Sequence, residues 1–232
     1  MTANDDDFLG RREAARTRLD GLAGARDGDP AERGAWFQAV YDSAGDDPAA
    51  VPWADLAPKD VLVDWLVRHP GEGRRALDIG CGLGDNAEAI AAAGYRTSAF
   101  DLAPGAIEWA RKRFPDSPVD YRVGDLFALP TDWVGNFGLV HECYTIQALD
   151  DPLRSQAFAA IAALLAPGGT LLVITRTRAE GCAADGPPWP LMPSELVRFE
   201  ALGLERVSAT PYTVERPGRR IPHVLAEFRR PG

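Results

Sequence analysis

Ala76-Leu77-Asp78-Ile79-Gly80-Cys81-Gly82-Leu83-Gly84-Asp85 decides how the rest of the chain is read. Residues 75–79 are a short apolar run broken by one acid, as a buried strand reads. Glycines follow at every second position, where the chain turns tightly and a ligand can lie against bare backbone. Residues 86–93 are then rich in good helix formers, and Gly94 ends the run. Strand, glycine loop and helix make the first half of a nucleotide-binding α/β unit.

Asp85 narrows the choice of nucleotide. A dinucleotide fingerprint, G-x-G-x-x-G, wants glycine at that position. A carboxylate at the helix start also repels a pyrophosphate, which binds at that helix end. Asp78 adds a second negative charge. The expected ligand has an adenosine, no phosphate and a positive charge, and S-adenosylmethionine meets all three conditions. The pattern Asp78-x-Gly80-x-Gly82-x-Gly84 resembles the first motif of the class I methyltransferases.

The composition fits that reading. The chain has 232 residues, 46% of them hydrophobic, with a net charge of −9. One α/β domain over residues 71–232 is expected, with a helical extension or lid over residues 1–70. The acidic balance argues against a polyanionic partner, so the expected partner is a small-molecule methyl acceptor rather than nucleic acid. No apolar run approaches the ~20 residues of a membrane span. Cys81, Cys143 and Cys182 are odd in number and widely spaced, which suits a reducing compartment, and the expected location is cytoplasmic. No Cys/His spacing suggests a metal. The opening residues are acidic and polar, unlike a secretory signal. The oligomeric state is left open.

Along the chain, residues 8–22 read as a helix, 23–29 as a glycine-rich loop, and 35–41 as a helix turn carrying Trp36, Phe37 and Tyr41. Those aromatics either pack on the main sheet or cap the cofactor mouth. A proline-punctuated loop over 51–58 holds Trp53 and leads to a helix over 59–68. Strands are expected at 75–79, 96–100, 119–123, 137–140 and 170–175. Helices are expected at 86–93, 104–114, 151–165 and 194–202. Two last strands, 204–213 and 223–229, are joined by a segment too short for a helical crossover, so they should be antiparallel. The class I resemblance implies a Rossmann-like seven-stranded sheet in the order 3-2-1-4-5-7-6. It is mostly parallel, with an antiparallel last strand and helices on both faces.

In an open α/β sheet, ligands lie at the carboxyl ends of the strands. Asp78, Asp101, Asp125 and the His141-Glu142 pair all stand at such ends. Asp101 falls about 20 residues after the glycine loop, the spacing of an acid that holds ribose hydroxyls. The resemblance gives Asp125 the adenine amino group and the Leu126 N–H a ring nitrogen. It places Asp78, Gly80, Cys81 and Gly82 at the methionine end, and Leu102 and Glu142 among the cofactor contacts.

The segment after the fourth strand usually faces the acceptor. There Glu142, His141 and Tyr144 are the catalytic candidates. Glu142 or His141 would take a proton from the nucleophile, or Glu142 would bind a cation. For both, a structural role stays open. Tyr144 and Gln147 are expected on one helical face. The Asn/Asp-Pro-Pro-Tyr/Phe signature of enzymes that methylate nucleic acid bases is absent here. Pro52-Trp53 and Pro58 bear a narrower resemblance to the thiopurine-methyltransferase-like small-molecule enzymes. Trp189 is either a pocket wall or sheet packing. Arg176 and Arg178 either hold an anionic acceptor or form a solvated face. His223 is read as structural.

The expected function is direct methyl transfer to O, N or S of a small molecule. Two rivals remain: a nicotinamide-dependent oxidoreductase and a non-catalytic S-adenosylmethionine-binding protein. Methylation of a protein or nucleic acid is a weaker third.

Overall fold

The computed structural model describes residues 6–19, 30–151, 153–216 and 218–232. The expected glycine-rich loop at 23–29 and the first five residues lie outside them. Three helices come first: α1 (Asp6–Leu19), α2 (Pro30–Ala44) and α3 (Asp60–Arg68). The alternating region follows as β1 (Arg75–Ile79), α4 (Asp85–Ala92), β2 (Arg96–Asp101), α5 (Pro104–Arg113), β3 (Asp120–Val123) and β4 (Phe137–Cys143). It ends with α6 (Leu153–Leu164), β5 (Leu165–Arg176), α7 (Pro193–Ala201), β6 (Glu205–Arg216) and β7 (Arg219–Arg229).

The seven strands form one sheet in the order β3-β2-β1-β4-β5-β7-β6. β1 to β5 run parallel, and β7 is antiparallel to both of its neighbours. Strand alternation explains why the central strands are apolar on both faces. In β5, Leu171 and Val173 pack with Phe158, Phe199 and Phe228 on the side of α6 and α7. Leu172 and Ile174, one residue out of phase, pack with Leu62, Trp65 and Ile90 on the side of α3 and α4. Burying so many full-sized side chains, at about 1.5–3 kcal/mol each, is what holds the two helical layers to the sheet.

Three boundaries differ from expectation for local reasons. β4 runs on through Cys143, because His141, Glu142 and Cys143 stay in register with β5. The helix expected to reach residue 165 stops at Leu164, and Leu165 already pairs with Phe137. The pairing slips between Phe137 and Leu139, and a β-carbon on Gly169 would lie 2.7 Å from the Phe137 carbonyl oxygen. That backbone approach needs glycine. Finally, most of the turn expected between the last strands is strand, with Arg216 paired to Arg219.

The aromatic turn of α2 does not rest on the sheet. Tyr41 packs with Leu83, Ala103 and Ala106, that is, on the glycine loop and α5. The Gly105 N–H donates to Gln38 Oε1 at 2.9 Å, which seats α2 on the start of α5. Among the described residues no helix is long and apolar enough to cross a membrane.

Candidate active site

The site starts from the turn after β1. Gly80, Gly82 and Gly84 all have positive φ, at 62°, 52° and 91°. A β-carbon on Gly80 would come within 2.5 Å of Thr145 Oγ1, and one on Gly84 would run into the Tyr121 hydroxyl. Side chains are therefore excluded by strain at all three positions, and by space at Gly80 and Gly84. The Gly82 N–H donates to Asp101 Oδ2 at 2.9 Å, and the Ala103 N–H donates to Asp101 Oδ1 at 3.0 Å. Asp101 thus clamps the glycine loop to the end of β2. Burial pushes the pKa of its carboxyl up, against the downward pull of those amides. Each carboxylate oxygen keeps a second lone pair for a ligand.

A cavity of about 760 Å³ opens over this edge of the sheet, within the size range of small-molecule sites. Gly80, Cys81, Gly82, Asp101, Leu102, Asp125 and Leu126 all line it. Asp125 Oδ1 accepts the Phe127 N–H at 3.0 Å, which shapes the turn after β3. Trp36, Phe37, Tyr41 and Trp53 line it from the N-terminal segment. Their rings meet mostly edge to face, with Phe37 and Trp53 centroids 5.6 Å apart, and Trp53 Nε1–H donates to the Tyr41 hydroxyl at 3.0 Å.

Three expected site residues behave differently. Asp78, His141 and Glu142 are fully or almost fully buried, and none of them is among the cavity's lining residues. The cause is β4's extra length: Asp78 pairs with His141 and Ile79 with Glu142 between neighbouring central strands. His141 Nδ1 and Asp78 Oδ1 share a hydrogen bond at 2.7 Å. Glu142 Oε2 accepts the N–H groups of Thr145 and Ile146 at 2.9 and 3.2 Å, fixing the turn that leaves β4. Burial pushes the Glu142 carboxyl up to about 8. Asp78 Oδ2, His141 Nε2 and Glu142 Oε1 have no hydrogen-bond partner among the described residues. β1 and β4 flank the point where the strand order reverses, which is where an open α/β sheet takes its ligand.

Asp85 also needs correction. It is not a bare charge, because Arg113 grips it with two bonds of 2.7 Å and also donates to the Leu83 carbonyl. Its effect on a phosphate is therefore much reduced, and the glycine loop's shape carries more of the discrimination.

Tyr144 does line the cavity, but not on a helix. It sits at φ 70°, and a single 3-10 turn, Ile146–Ala148, follows it. Gln147 lines the cavity too, with its Oε1 accepting from Thr175 Oγ1 and the Arg176 N–H. The Tyr144 hydroxyl donates to His223 Nε2 at 2.9 Å, because His223 Nδ1–H is committed to the Ile221 carbonyl at 2.8 Å. Burial lowers the His223 imidazole to about 4, so it stays neutral.

Beside this pair, Lys59 Nζ lies 4.5 Å from the Tyr144 ring centroid and is ion-paired to Asp55. Asp55 also takes Arg12 at 2.6 Å and Arg216 at 2.9 Å. Lys59, Asp55, Arg12 and Arg216 all line the cavity, and sequence reading passed over them; His223, read there as structural, lines it too. The spacing of Asp55 and Lys59 was a weak signal, since Asp55 falls in the expected proline-punctuated loop and Lys59 only at the start of the expected helix.

Of the remaining candidates, Arg176 lines the cavity, whereas Arg178 is tied to Glu195 and the Pro190 carbonyl. Trp189 packs against Gly186 and leaves Pro187 and Pro188 facing the cavity.

A family model described as a methyltransferase domain matches residues 76–169. The ubiquinone biosynthesis O-methyltransferase of Xanthomonas campestris is 40% identical over 108 residues, 46% of this chain and 44% of that protein. Its counterpart in Aromatoleum aromaticum is 34% identical over 119 residues, half of each chain. The match thus spans half or less of these relatives' length. Among solved structures, the N-methyltransferase NodS of Bradyrhizobium japonicum, in complex with S-adenosylhomocysteine, superposes with a TM-score of 0.65 at 22% identity. That match covers 84% of this chain and 98% of that one. A Burkholderia thailandensis 1,6-didemethyltoxoflavin-N1-methyltransferase gives 0.65 at 22% identity, over 88% and 91%. At such identities the structures speak for the fold.

Proposed function

We propose that this chain, which carries a class I S-adenosylmethionine-dependent methyltransferase domain at residues 76–169, transfers a methyl group to a heteroatom of a small molecule. One observation carries the reading: a loop with three positive-φ glycines, two of them with no space for a side chain, is clamped by a buried carboxylate and opens into a cavity at the sheet's reversal point. S-adenosylmethionine fits these residues. The bare loop accepts a ligand against backbone, and the buried Asp78 oxygen without a partner favours a cation nearby.

In this reading Asp101 receives the ribose hydroxyls on its remaining lone pairs, with Leu102 beside it. Asp125 accepts from the adenine amino group, and the Leu126 N–H serves a ring nitrogen. Gly80, Cys81 and Gly82 hold the amino-acid end through backbone, with Asp78 supplying negative charge to the loop and Glu142 placed beside that end by the turn it fixes. When bound, S-adenosylmethionine supplies a methyl group on a positively charged sulfur, which leaves as a neutral thioether. The protein's task is then mostly alignment and exclusion of water. Residues 1–70 act as a lid: Glu13 of α1 reaches Arg219 of β7 at 3.3 Å, and the α2 aromatics wall the cavity. Tyr144, with its hydroxyl fixed by His223, orients the acceptor.

Oxygen is the favoured acceptor atom, because the curated relatives that share this domain are named O-methyltransferases. Isothermal calorimetry with S-adenosylhomocysteine, set against NADH, tests the reading. Binding of the first and not the second is expected; the reverse overturns it.

A further inference from the structure

The cation cluster is out of balance. Asp55 is the shared partner of Arg12, Lys59 and Arg216, and these four side chains are only 13–22% exposed. Among the described residues no second carboxylate pairs with those three cations. One carboxylate against three cations leaves two positive charges over at the wall of a largely apolar cavity. A folded chain does not gather surplus charge out of water cheaply, because desolvation of each ion is unfavourable unless a counter-charge offsets it. Asp55 offsets one. At the mouth, Arg219 is neutralised by Glu13 and adds nothing to the surplus. The surplus also lies on the acceptor side. Lys59 touches the Tyr144 ring, and Arg216 ends β6, whereas Asp101 and Asp125 stand at the ends of β2 and β3 across the sheet. The surfaces nearby are apolar: Trp53, Val214 and Ile221 line the same cavity.

We infer that the methyl acceptor is an anion: an apolar body bearing a carboxylate or comparable oxyanion, which completes the Arg12–Lys59–Arg216 cluster. The inference rests on the methyltransferase reading of the cavity and names the substrate class for it. Arg216 and Arg12 offer planar forks suited to a two-oxygen anion. Lys59 is a point charge beside Tyr144, placed to draw the anion toward the tyrosine hydroxyl. Asp55 keeps the three cations from repelling one another before the acceptor arrives.

The test uses full-length protein saturated with S-adenosylhomocysteine. Calorimetry then compares 1-naphthoate with 1-naphthamide, hexanoate with hexanamide, and sodium sulfate alone. At least one carboxylate is expected to bind tenfold or more tightly than its amide and than sulfate, with the preference shrinking as salt rises. Arg216→Gln should abolish that preference while leaving S-adenosylhomocysteine affinity within twofold. Lys59→Met serves as the second variant should the first fold poorly. Amides that bind as well as the acids would overturn the inference. So would sulfate binding as tightly as the carboxylates, since the cluster would then be a plain anion trap. Failure of wild-type protein to bind S-adenosylhomocysteine at all would instead sink the methyltransferase reading. A third readout needs no ligand. Relieving surplus charge should leave the melting temperature of Arg216→Gln unchanged or raised at low salt, and a fall of several degrees would mark the arginine as purely structural.

Discussion

Replacing Glu142 by glutamine should make the ligand-free protein more stable than wild type in alkaline buffer and leave it close to wild type in mild acid. The buried carboxyl titrates near 8 instead of its ordinary 4.5, chiefly because burial disfavours the charge and partly because Asp78 is near. Between those two values the unfolded chain has released a proton that the folded chain keeps. Stability is therefore complete below pH 4.5 and falls as pH rises toward 8, with a limiting slope of about 1.4 kcal/mol per pH unit. The whole window sums to roughly 4–5 kcal/mol, and relaxation of the site around the ionised group brings the expected drop to about 2–4 kcal/mol. Glutamine has the same shape. Its carbonyl oxygen can accept the Thr145 and Ile146 amides as Oε2 does, and it has no proton to lose. Urea unfolding followed by tryptophan fluorescence at pH 5, 7 and 8.5 gives both curves. Wild type should lose stability across the series while the variant stays level. Parallel curves would refute the buried neutral carboxyl, and so would a variant several kcal/mol weaker than wild type at pH 8.5.

Asp101→Ala should weaken S-adenosylhomocysteine binding by about 1.5–3 kcal/mol, the range for charge-assisted hydrogen bonds; calorimetry showing equal affinity removes the ribose role. Gly84→Ala should cost about 1–3 kcal/mol in urea unfolding, from its φ of 91° and the encounter with Tyr121; an unchanged midpoint would refute that strain. His223 should titrate by NMR near pH 4. Its lowered value adds stability that is full above pH 6.5 and is lost as pH falls through 4, so a midpoint near 6.5 would contradict its buried neutral state. Arg113→Met should strand the Asp85 carboxylate and cost about 1–3 kcal/mol, visible as a lower melting temperature.

Much of the sheet was legible before any coordinates. Short-range pattern suffices for β1, the glycine loop and α4, because strand periodicity, turn chemistry and helix propensity are properties of adjacent residues. The antiparallel end followed from a linker too short to cross over. Sequence pattern misjudged the ends of β4 and β5, where pairing with a neighbour extends each strand past its apolar run. That extension matters, since it takes His141 and Glu142 from the rim into the sheet. Asp101 and Asp125 were legible as cavity residues from their place at strand ends, and Leu126 and Tyr144 through the class I resemblance. Asp85 was misjudged because its partner, Arg113, lies a whole βα unit away.

Chain order and side-chain chemistry along residues 75–176 dictated a twisted parallel sheet with acids at its carboxyl edge, since each step depends on neighbours in the chain. The acceptor end arose differently. Arg12, Asp55, Lys59, Arg216 and His223 come from three separate segments and acquire meaning only when α1, the stretch from the Pro52-Trp53 loop to Lys59, and the β6–β7 hairpin converge on one cavity. Charge balance is a property of distances in space, so folding alone could reveal that one carboxylate serves three cations.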